Sequence, residues 1–494
     1  MSTIPYSQLL QLALPEVIVA VTAFIVLAID LILRTSPLRL RFYVATGVAS
    51  LGCADAILRI LFAPGQANVL GSMFVATPLI HLVQIALLVI TISTLLLSAD
   101  STSIENVGEF VLLLLLATTG MLFLVGTQDI LVIFVSLELL SLSLYVLTVF
   151  DKGNPGSSEA ALKYFLFGGM SAAFLLFGFS LLYGLSDSTN LAQIASAIHG
   201  PWLNPLVAVA IVTTVIGFGF KVAAVPFHFW APDVYERAPV PAAAFIASAS
   251  KIASFFVFFQ LMVIGFAGAE GSAAWLQPIH GWVPVVAAVA ALSMLLGNLA
   301  AIVQTSVRRL LAYSAIAHAG YILIAVIAHT PQSLAALLFY VFTYALATLG
   351  AFGVIDIVEK QTGSDSLSSF NGLSRRAPVI SVCLFIFLLS LAGIPPLAGF
   401  FGKFYLFVSA LSAASGLLWL VVVAIAMSAV SLYYYLQVLK RVFVTDPTVK
   451  TASLQTPLLT QATVVLLAAA VVILGCAPNL LLQWILAAVY SVGK

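Results

Sequence analysis

The chain has 494 residues, of which 62% are hydrophobic and only 7% are charged, and its mean hydropathy is +1.17. Soluble domains carry roughly 25% charged residues, so this composition excludes a soluble globular protein and indicates an integral membrane protein over nearly the whole length. The formal net charge of +1 is not the strongly basic balance that would indicate a nucleic-acid partner.

Apolar stretches of about 20 residues recur along the chain, and each is long enough to cross a hydrocarbon core ~30 Å thick. They predict an all-α integral membrane protein with about 14 transmembrane helices. In chain order, the predicted spans lie near residues 9–33, 41–62, 73–98, 108–125, 129–150, 159–186, 203–227, 240–266, 280–304, 309–330, 332–358, 376–411, 414–440 and 457–487.

Two of these spans contain helix-breaking sequences. Pro226 lies in the seventh span, and the twelfth, which is too long for one crossing, contains Gly393-Ile394-Pro395-Pro396. Broken helices are tolerated in membranes where the freed backbone groups face protein or water. We therefore predict that helices 7 and 12 are broken.

Basic residues are distributed unevenly among the connections between spans. All of them follow odd-numbered spans, and the connections after even-numbered spans hold no Lys or Arg. The positive-inside rule therefore places the odd-numbered connections in the cytoplasm and both termini in the periplasm. The residues that determine this orientation are Arg34, Arg39, Arg41, Lys152, Arg237, Arg308, Arg309, Lys360, Arg375, Arg376, Lys440, Arg441 and Lys450.

Each proline interruption has a lysine nearby, and the two interruptions are five spans apart. Lys221 precedes Pro226, and Lys403 follows Pro395 and Pro396. An offset of five reverses the direction of crossing, as in the inverted repeats of transport cores. We predict helices 1–3 at residues 1–106, a first five-helix half (helices 4–8) at 107–266, a second, inverted half (helices 9–13) at 267–441, and helix 14 at 442–494.

Four lysines and a glutamate lie deep inside otherwise apolar spans, namely Glu138, Lys163, Lys221, Lys251 and Lys403. A charge in a lipid-spanning helix costs roughly 2.5–3.5 kcal/mol on insertion scales, and it usually marks an ion or proton path. Desolvation disfavours the charged form of a lysine, whereas a nearby carboxylate favours it. Movement of Glu138 relative to Lys221 would therefore switch the lysine between holding and releasing a proton, which predicts a proton relay.

Structural roles are the alternatives for these residues. Lys163 lies close to the start of its helix, so its side chain could simply reach the membrane interface. The remaining lysines and Glu138 could form static ion pairs. His228 and His318 could hydrogen-bond backbone groups at helix interruptions rather than support proton transfer.

The sequence contains no redox or nucleotide motif. It has no phosphate-binding loop, and Gly217-Phe218-Gly219 lies inside a span, where helix packing explains it better than a dinucleotide site. Cys53, Cys383 and Cys476 are far apart, which excludes a Cys-ligated iron–sulfur cluster within this chain. The energy for transport must therefore come from an ion gradient or from partner subunits.

Several motifs carry a family resemblance. They are LPE at 14–16, KVAAVPFHFWAPDVYE at 221–236, APVP at 238–241, SASKIA at 248–253, AYSAIAHAGY at 312–321 and GIPPLAGF at 393–400. Together they closely resemble the antiporter-like membrane subunits of respiratory complex I, the bacterial proton-pumping NADH–quinone oxidoreductase. Among the three such subunits, L, M and N, the motifs around spans 7 and 8 and the lysine at position 403 resemble the N type.

The resemblance implies a role for each intramembrane charge. Glu138 and Lys221 would be a coupled pair, Lys251 the central relay and Lys403 the lysine of the second half-channel. Lys163 would bridge towards a neighbouring subunit. Supporting roles would fall to His228, His318, Pro226, Pro395 and Pro396.

The resemblance also implies that the cofactors lie elsewhere. FMN, the iron–sulfur clusters and quinone would belong to partner subunits, and this chain would hold none of them. Its partners would be the other complex I subunits, especially neighbouring antiporter-like and small membrane subunits, together with lipids and protons, in a bacterial inner membrane. A subunit of a cation/proton antiporter is the alternative, and an inert scaffold between neighbouring subunits is a third hypothesis.

Overall fold

The computed structural model describes residues 10–63, 66–101, 104–151, 153–198, 203–275, 277–413, 416–446 and 456–491. Lys152 and Lys450, two of the basic residues that determine the predicted orientation, lie outside the described residues. The described helices are α1 (Leu14–Ile32), α2 (Leu38–Leu61), α3 (Pro78–Ser98), α4 (Val107–Val125), α5 (Ile130–Thr148), α6 (Pro155–Ser186), α7 (Leu191–Ile198), α8 (Pro205–Lys221), α9 (Trp230–Arg237), α10 (Val240–Gln260), α11 (Trp282–Ile302), α12 (Val307–Ala328), α13 (Pro331–Thr362), α14 (Leu373–Arg376), α15 (Pro378–Ala392), α16 (Ala398–Ser412), α17 (Leu418–Phe443), α18 (Leu458–Cys476) and α19 (Asn479–Ser491).

Twelve helices in the described ranges are long and apolar enough to cross a membrane, namely α1–α6, α10–α13, α17 and α18. The chain is therefore a multi-pass, mostly helical membrane protein, as the composition predicts. The apolar helices α8, α15, α16 and α19 are shorter. A total of 14 crossings stays a prediction, since it requires shorter helices to pair across their interruptions.

Three features differ from the predicted elements. The last predicted span is divided, because α18 ends at Cys476 and α19 begins at Asn479, on either side of Pro478, which has no backbone N–H to continue a helix. The short helices α7, α9 and α14 were not predicted. Neither were two antiparallel hairpins, β1 (Ala67–Val69) with β2 (Phe74–Ala76) and β3 (Ser272–Ala274) with β4 (Gln277–Ile279), since three-residue strands are too short for a recognisable alternation.

The helical backbone is interrupted between α8 and α9, around Pro226. The backbone groups freed there find partners within the protein, as a water-free environment requires. The amide of Val225 donates to the Ser293 hydroxyl at 2.9 Å, and the indole N–H of Trp230 donates to the carbonyl of Phe220 at 3.0 Å. The interruption therefore leaves Lys221 as the last residue of α8.

A second interruption separates α15 from α16. Gly393 adopts a left-handed backbone (φ 84°), which glycine accommodates without a Cβ penalty and which ends α15. The amide of Gly399 donates to the Ser390 hydroxyl at 3.1 Å, and the ammonium of Lys403 donates to the carbonyl of Ala392 at 3.0 Å. A lysine thus satisfies a carbonyl at this helix end.

The two predicted halves contain corresponding elements. α6 and α13 are both 32 residues long, and both begin with proline. In the first predicted half, Asp129 caps α5 and forms a β-bridge with Asn190, which follows α6. In the second, Ser306 caps α12 and forms a β-bridge with Ser366, which follows α13. These correspondences support an inverted repeat, which stays a prediction.

The centre of the molecule consists of α10, α12 and α13. The spanning part of α10 is 100% buried, and those of α12 and α13 are 94% and 89% buried, whereas α1 and α2 are 39% and 33% buried. α10 belongs to the first predicted half, and α12 and α13 belong to the second. Side chains on these three helices therefore meet where the two predicted halves adjoin.

Candidate functional site

Lys221 and Glu138 lie close together. The Lys221 side chain is 7% exposed, and its Nζ lies 3.8 Å from Oε1 of Glu138 on α5. The ammonium donates a hydrogen bond to the hydroxyl of Ser141, which lies one turn after Glu138. Because α8 ends at Lys221, the ammonium also lies at the negative end of the helix dipole. The lysine thus has a hydroxyl in contact and a carboxylate slightly further away.

Lys251 lies on α10 and is only 1% exposed. Its Nζ donates to the backbone carbonyl of Ala315 on α12 at 2.7 Å and lies 5.5 Å from the centre of the Tyr344 ring. Within the described ranges, no carboxylate forms a salt bridge with it. The lysine therefore connects α10 to α12 and α13 through neutral partners.

Lys403 lies on α16, in the predicted second half, and it is 4% exposed. Its Nζ donates to the Ala392 carbonyl and to the Ser428 hydroxyl, the latter at 2.8 Å, and it lies 5.0 Å from the centre of the Tyr321 ring. A cavity of about 340 Å³ adjoins it between α16 and α17. None of the salt bridges in the described part of the chain includes this lysine.

His318 lies between these two lysines. Its Nδ1 is 2.5 Å from the Tyr340 hydroxyl and its Nε2 is 3.1 Å from the Tyr435 hydroxyl. Its ring is also 5.0 Å from that of Tyr344, which contacts Lys251, and 5.7 Å from that of Tyr321, which contacts Lys403. A buried histidine–tyrosine cluster therefore joins the two lysine sites.

Sequence reasoning identified His318 but missed its tyrosine partners. Tyr340 and Tyr344 are one helical turn apart on α13, a spacing that places both side chains on one face. The spacing of this pair was a signal in the sequence that could have identified the two tyrosines. Tyr321 follows His318 by three residues on the same helix, so its position was also recognisable from the sequence. Tyr435 comes from the distant helix α17, and nothing local indicated that it would meet His318.

His228 lies apart from the lysines, within the first interruption. It is buried, its ring stacks on that of Phe229 at 4.5 Å, and its remaining polar contact is with the backbone of Pro226. None of its contacts in the described structure is with a lysine. This arrangement fits the alternative in which the histidine bonds backbone at a helix interruption.

Lys163 also lies apart, and it is less buried than the other lysines. Its side chain is 41% exposed, and its Nζ pairs with Glu159 at 2.7 Å and with Asp233 at 2.8 Å. Asp233 and Glu236 in turn pair with Arg309 at 3.0 and 2.9 Å. Burial raises the pKa of Asp233, but Lys163 and Arg309 together lower that pKa below its ordinary value. Lys163 thus belongs to an ionised network that ties α6 and α9 to α12.

The proline residues predicted to support the site lie at the interruptions. The Val225–Pro226 and Pro395–Pro396 peptide bonds are both cis. Among the described residues, no group of three or more His, Cys, Asp or Glu side chains is placed to hold a metal ion.

Comparison with known proteins identifies the family. Residues 127–428 match the family model described as NADH:quinone oxidoreductase/Mrp antiporter, TM. The NADH-quinone oxidoreductase subunit N 2 of Acidobacterium capsulatum is 55% identical over 498 residues, which cover 98% of this chain and 100% of that protein. The subunit N 2 of Herpetosiphon aurantiacus is 40% identical over 76% of this chain and 73% of that protein.

Solved structures have the same architecture. A chain of respiratory complex I from Thermus thermophilus with bound aureothin is similar with a TM-score of 0.78 and 34% identity, over 95% of this chain and 98% of that chain. A chain of the Mrp complex from Dietzia sp. has a TM-score of 0.82 at 21% identity, over 98% of this chain and 97% of that chain. This similarity shows a shared fold alone. The chain therefore belongs to the family of NADH:quinone oxidoreductase and Mrp antiporter membrane proteins, among the N subunits of NADH-quinone oxidoreductase.

Proposed function

We propose that this chain is a proton-translocating membrane subunit of an NADH–quinone oxidoreductase complex. The observation that carries the proposal is the sequence of buried groups from Lys221 through Lys251 and His318 to Lys403. Three lysines with side chains under one-tenth exposed are costly in a membrane, and a transport path is the usual reason to keep them.

The first predicted half would hold the coupled pair. When Glu138 is close, its negative charge stabilises the ammonium of Lys221, and when it moves away the lysine releases its proton. The Ser141 hydroxyl, one turn away, would keep the ammonium hydrogen-bonded during this change. The two groups are electrostatically coupled at 3.8 Å, so the switch belongs to the pair rather than to either residue.

Transfer between the halves would pass through the histidine–tyrosine cluster. Lys251 would accept the proton as a neutral amine, and His318 and its tyrosines would carry it towards Lys403. Hydroxyl groups and imidazole each can donate and accept, which proton transfer along a chain requires. Lys163, which is partly exposed and forms a salt bridge with Asp233, would connect the relay to a neighbouring subunit.

The driving reaction would take place in partner subunits. NADH, FMN, the iron–sulfur clusters and quinone would bind there, and the free energy of electron transfer would reach this chain through subunit contacts. The complex would lie in a bacterial inner membrane, with 14 crossings, two inverted five-helix halves and both termini in the periplasm. The one-sided distribution of basic residues supports this orientation.

An antiporter subunit is the second candidate, because the matched family model covers both NADH:quinone oxidoreductases and Mrp antiporters. The 55% identity to a subunit N favours the first candidate. Mass spectrometry of the intact complex extracted in mild detergent separates them. Co-isolation with flavin and iron–sulfur proteins is expected, whereas a complex of membrane subunits alone would indicate the antiporter.

The hypothesis that this chain is an inert scaffold is tested by measuring proton pumping. If this chain merely joined its neighbours, Lys221→Ala would leave the number of protons pumped per electron unchanged. We expect that number to fall, in complexes whose assembly is verified by native gel. Membrane vesicles that contain the assembled complex allow proton uptake and electron transfer to be measured in one preparation.

A further inference from the structure

A polar cavity lies at the junction of the two halves, on the side predicted to face the cytoplasm. Its volume is about 390 Å³, and it is lined mainly by charged and polar groups. Carboxylates outnumber bases among its charged lining residues, which favours the local accumulation of cations such as hydronium. Its lining includes Glu236, Arg308, Asp356, Glu359, Lys360 and Asp365.

Tyr235 directly precedes Glu236, which lines this cavity. Its backbone carbonyl accepts a hydrogen bond from Nε of Arg308 at 2.7 Å, and Arg308 lines the cavity. The Tyr235 side chain is completely buried, and its ring packs edge-on against that of Phe352 on α13 at 5.9 Å. Its hydroxyl has no hydrogen-bond partner among the described residues. A buried polar group without a partner normally marks a place for water.

A second hydroxyl of this kind lies deeper on α13. Thr348, one turn from Phe352, is 2% exposed, and its hydroxyl also lacks a well-aligned partner in the described structure. It lies near the hydroxyl of Tyr344, one further turn along. The ring of Tyr344 is 5.5 Å from Nζ of Lys251.

Tyr344 and Lys251 lie at similar distances from the cavity along their helices. At 1.5 Å of rise per residue, Tyr344 lies roughly 18 Å along α13 from Asp356 in the cavity lining. Lys251 lies roughly 16 Å along α10 from Val240, which also lines the cavity. The two helices therefore carry the tyrosine and the lysine to the same level, and Tyr235 and Thr348 occupy the interval.

We propose that protons reach Lys251 from the cytoplasmic cavity through the hydroxyl groups of Tyr235, Thr348 and Tyr344, with water between them. The inference rests on the proposed proton-translocating function and adds its uptake route. In each step a hydroxyl or water oxygen accepts one proton and releases another on its far side. The net change is the loss of one proton from the cavity and the conversion of the neutral Lys251 amine to an ammonium, without any change of oxidation state.

The route is tested by removing the hydroxyls without changing side-chain shape. Thr348→Val and Tyr235→Phe should each lower NADH-driven proton uptake by assembled complex in membrane vesicles, roughly twofold to tenfold. Thr348→Ser keeps the hydroxyl and removes the methyl group, so this variant should pump close to the unsubstituted rate. A structural role of the threonine predicts the opposite order, because valine preserves packing better than serine. Thr94→Val, at a buried threonine on α3 that bonds its own helix, is the matched control.

Lys251→Met in the same assay separates the two proposals. If Lys251→Met loses pumping while the double variant Tyr235→Phe/Thr348→Val pumps normally, the uptake route is wrong and the relay stands. If Lys251→Met itself pumps normally, the relay is wrong and the route with it. Ordered waters between Asp356 and Tyr344 in a cryo-EM map of the unsubstituted complex provide a test that needs no variant. A dry apolar contact around Phe352 throughout turnover would overturn the route.

Discussion

The ammonium of Lys221 and the carboxylate of Glu138 lie 3.8 Å apart, and the lysine donates its hydrogen bond to Ser141 instead. The pair is therefore electrostatically coupled without being locked by a direct short hydrogen bond. A carboxylate at this distance can move away without breaking a direct bond to the lysine. This geometry suits a switch better than a static ion pair, whose groups usually satisfy each other directly.

Lys221→Arg distinguishes these roles. Arginine keeps the positive charge, but its guanidinium does not release a proton in proteins, so we expect the variant to assemble and to lose NADH-driven pumping. Lys440→Arg, at an exposed position near the end of α17, is the control and should pump normally. Normal proton uptake in vesicles by assembled Lys221→Arg would leave the structural role standing.

Glu138→Gln should have a smaller effect on the same activity. The amide removes the negative charge that stabilises the ammonium, while Ser141 still accepts the lysine's hydrogen bond. We expect a several-fold lower pumping rate rather than its loss. The measurement is initial proton uptake at saturating NADH, and an unchanged rate would show that the carboxylate does not control Lys221.

Arg308→Lys should destabilise the chain. The guanidinium is 4% exposed and donates to the carbonyls of Tyr235 and Ala238 and to the carboxylate of Glu359. A lysine cannot reach all three acceptors in this fork geometry, and each buried group left unsatisfied costs about 1–3 kcal/mol. A lower melting temperature of the purified complex is expected.

The exposed pair of Arg375 with Asp446 provides the control for that substitution. Arg375 is 64% exposed, so Arg375→Lys should leave the melting temperature nearly unchanged. Equal shifts for the two variants would mean that the burial of Arg308 contributes nothing to stability.

Gly399→Ala should prevent correct formation of the second interruption. A Cβ at this position would lie 1.9 Å from the carbonyl oxygen of Ser390, a backbone atom that has no freedom to move aside. Gly169→Ala, on α6, would meet nothing within 4 Å and should be tolerated. Native gels of membranes expressing each variant report assembly, and normal assembly of Gly399→Ala would contradict the described packing.

Cysteine accessibility checks the membrane orientation. In a background without the exposed Cys476, Gln361→Cys in the last turn of α13 should resist a membrane-impermeant thiol reagent in intact cells, because this end of α13 is predicted to face the cytoplasm. Gln277→Cys, in the β3–β4 hairpin after an even-numbered span, should react rapidly once the outer membrane is permeabilised. The reverse pattern would invert the proposed topology.

The sequence by itself determined the class of the protein and predicted which of its charges lie within spans. Hydropathy is a local property, so runs of apolar residues predict spans, and a lysine within such a run is predicted to lie in the membrane. The interruptions at Pro226 and at Pro395–Pro396 were also predictable, because proline acts on its own turn of helix. For the same reason the separation of α18 from α19 at Pro478 could have been recognised.

Only the tertiary structure decided which groups meet. Lys251 on α10 bonds a carbonyl on α12, and His318 on α12 contacts the hydroxyls of Tyr340 on α13 and Tyr435 on α17, so these contacts depend on how separate helices pack. Conversely, Lys163 and His228, which the sequence grouped with the relay, lie in other surroundings. Hydrophobic patterning places a residue at a depth in the membrane, but every helix of a bundle offers residues at that depth. The packing of helix against helix, driven by side-chain fit across the two halves, selects among them.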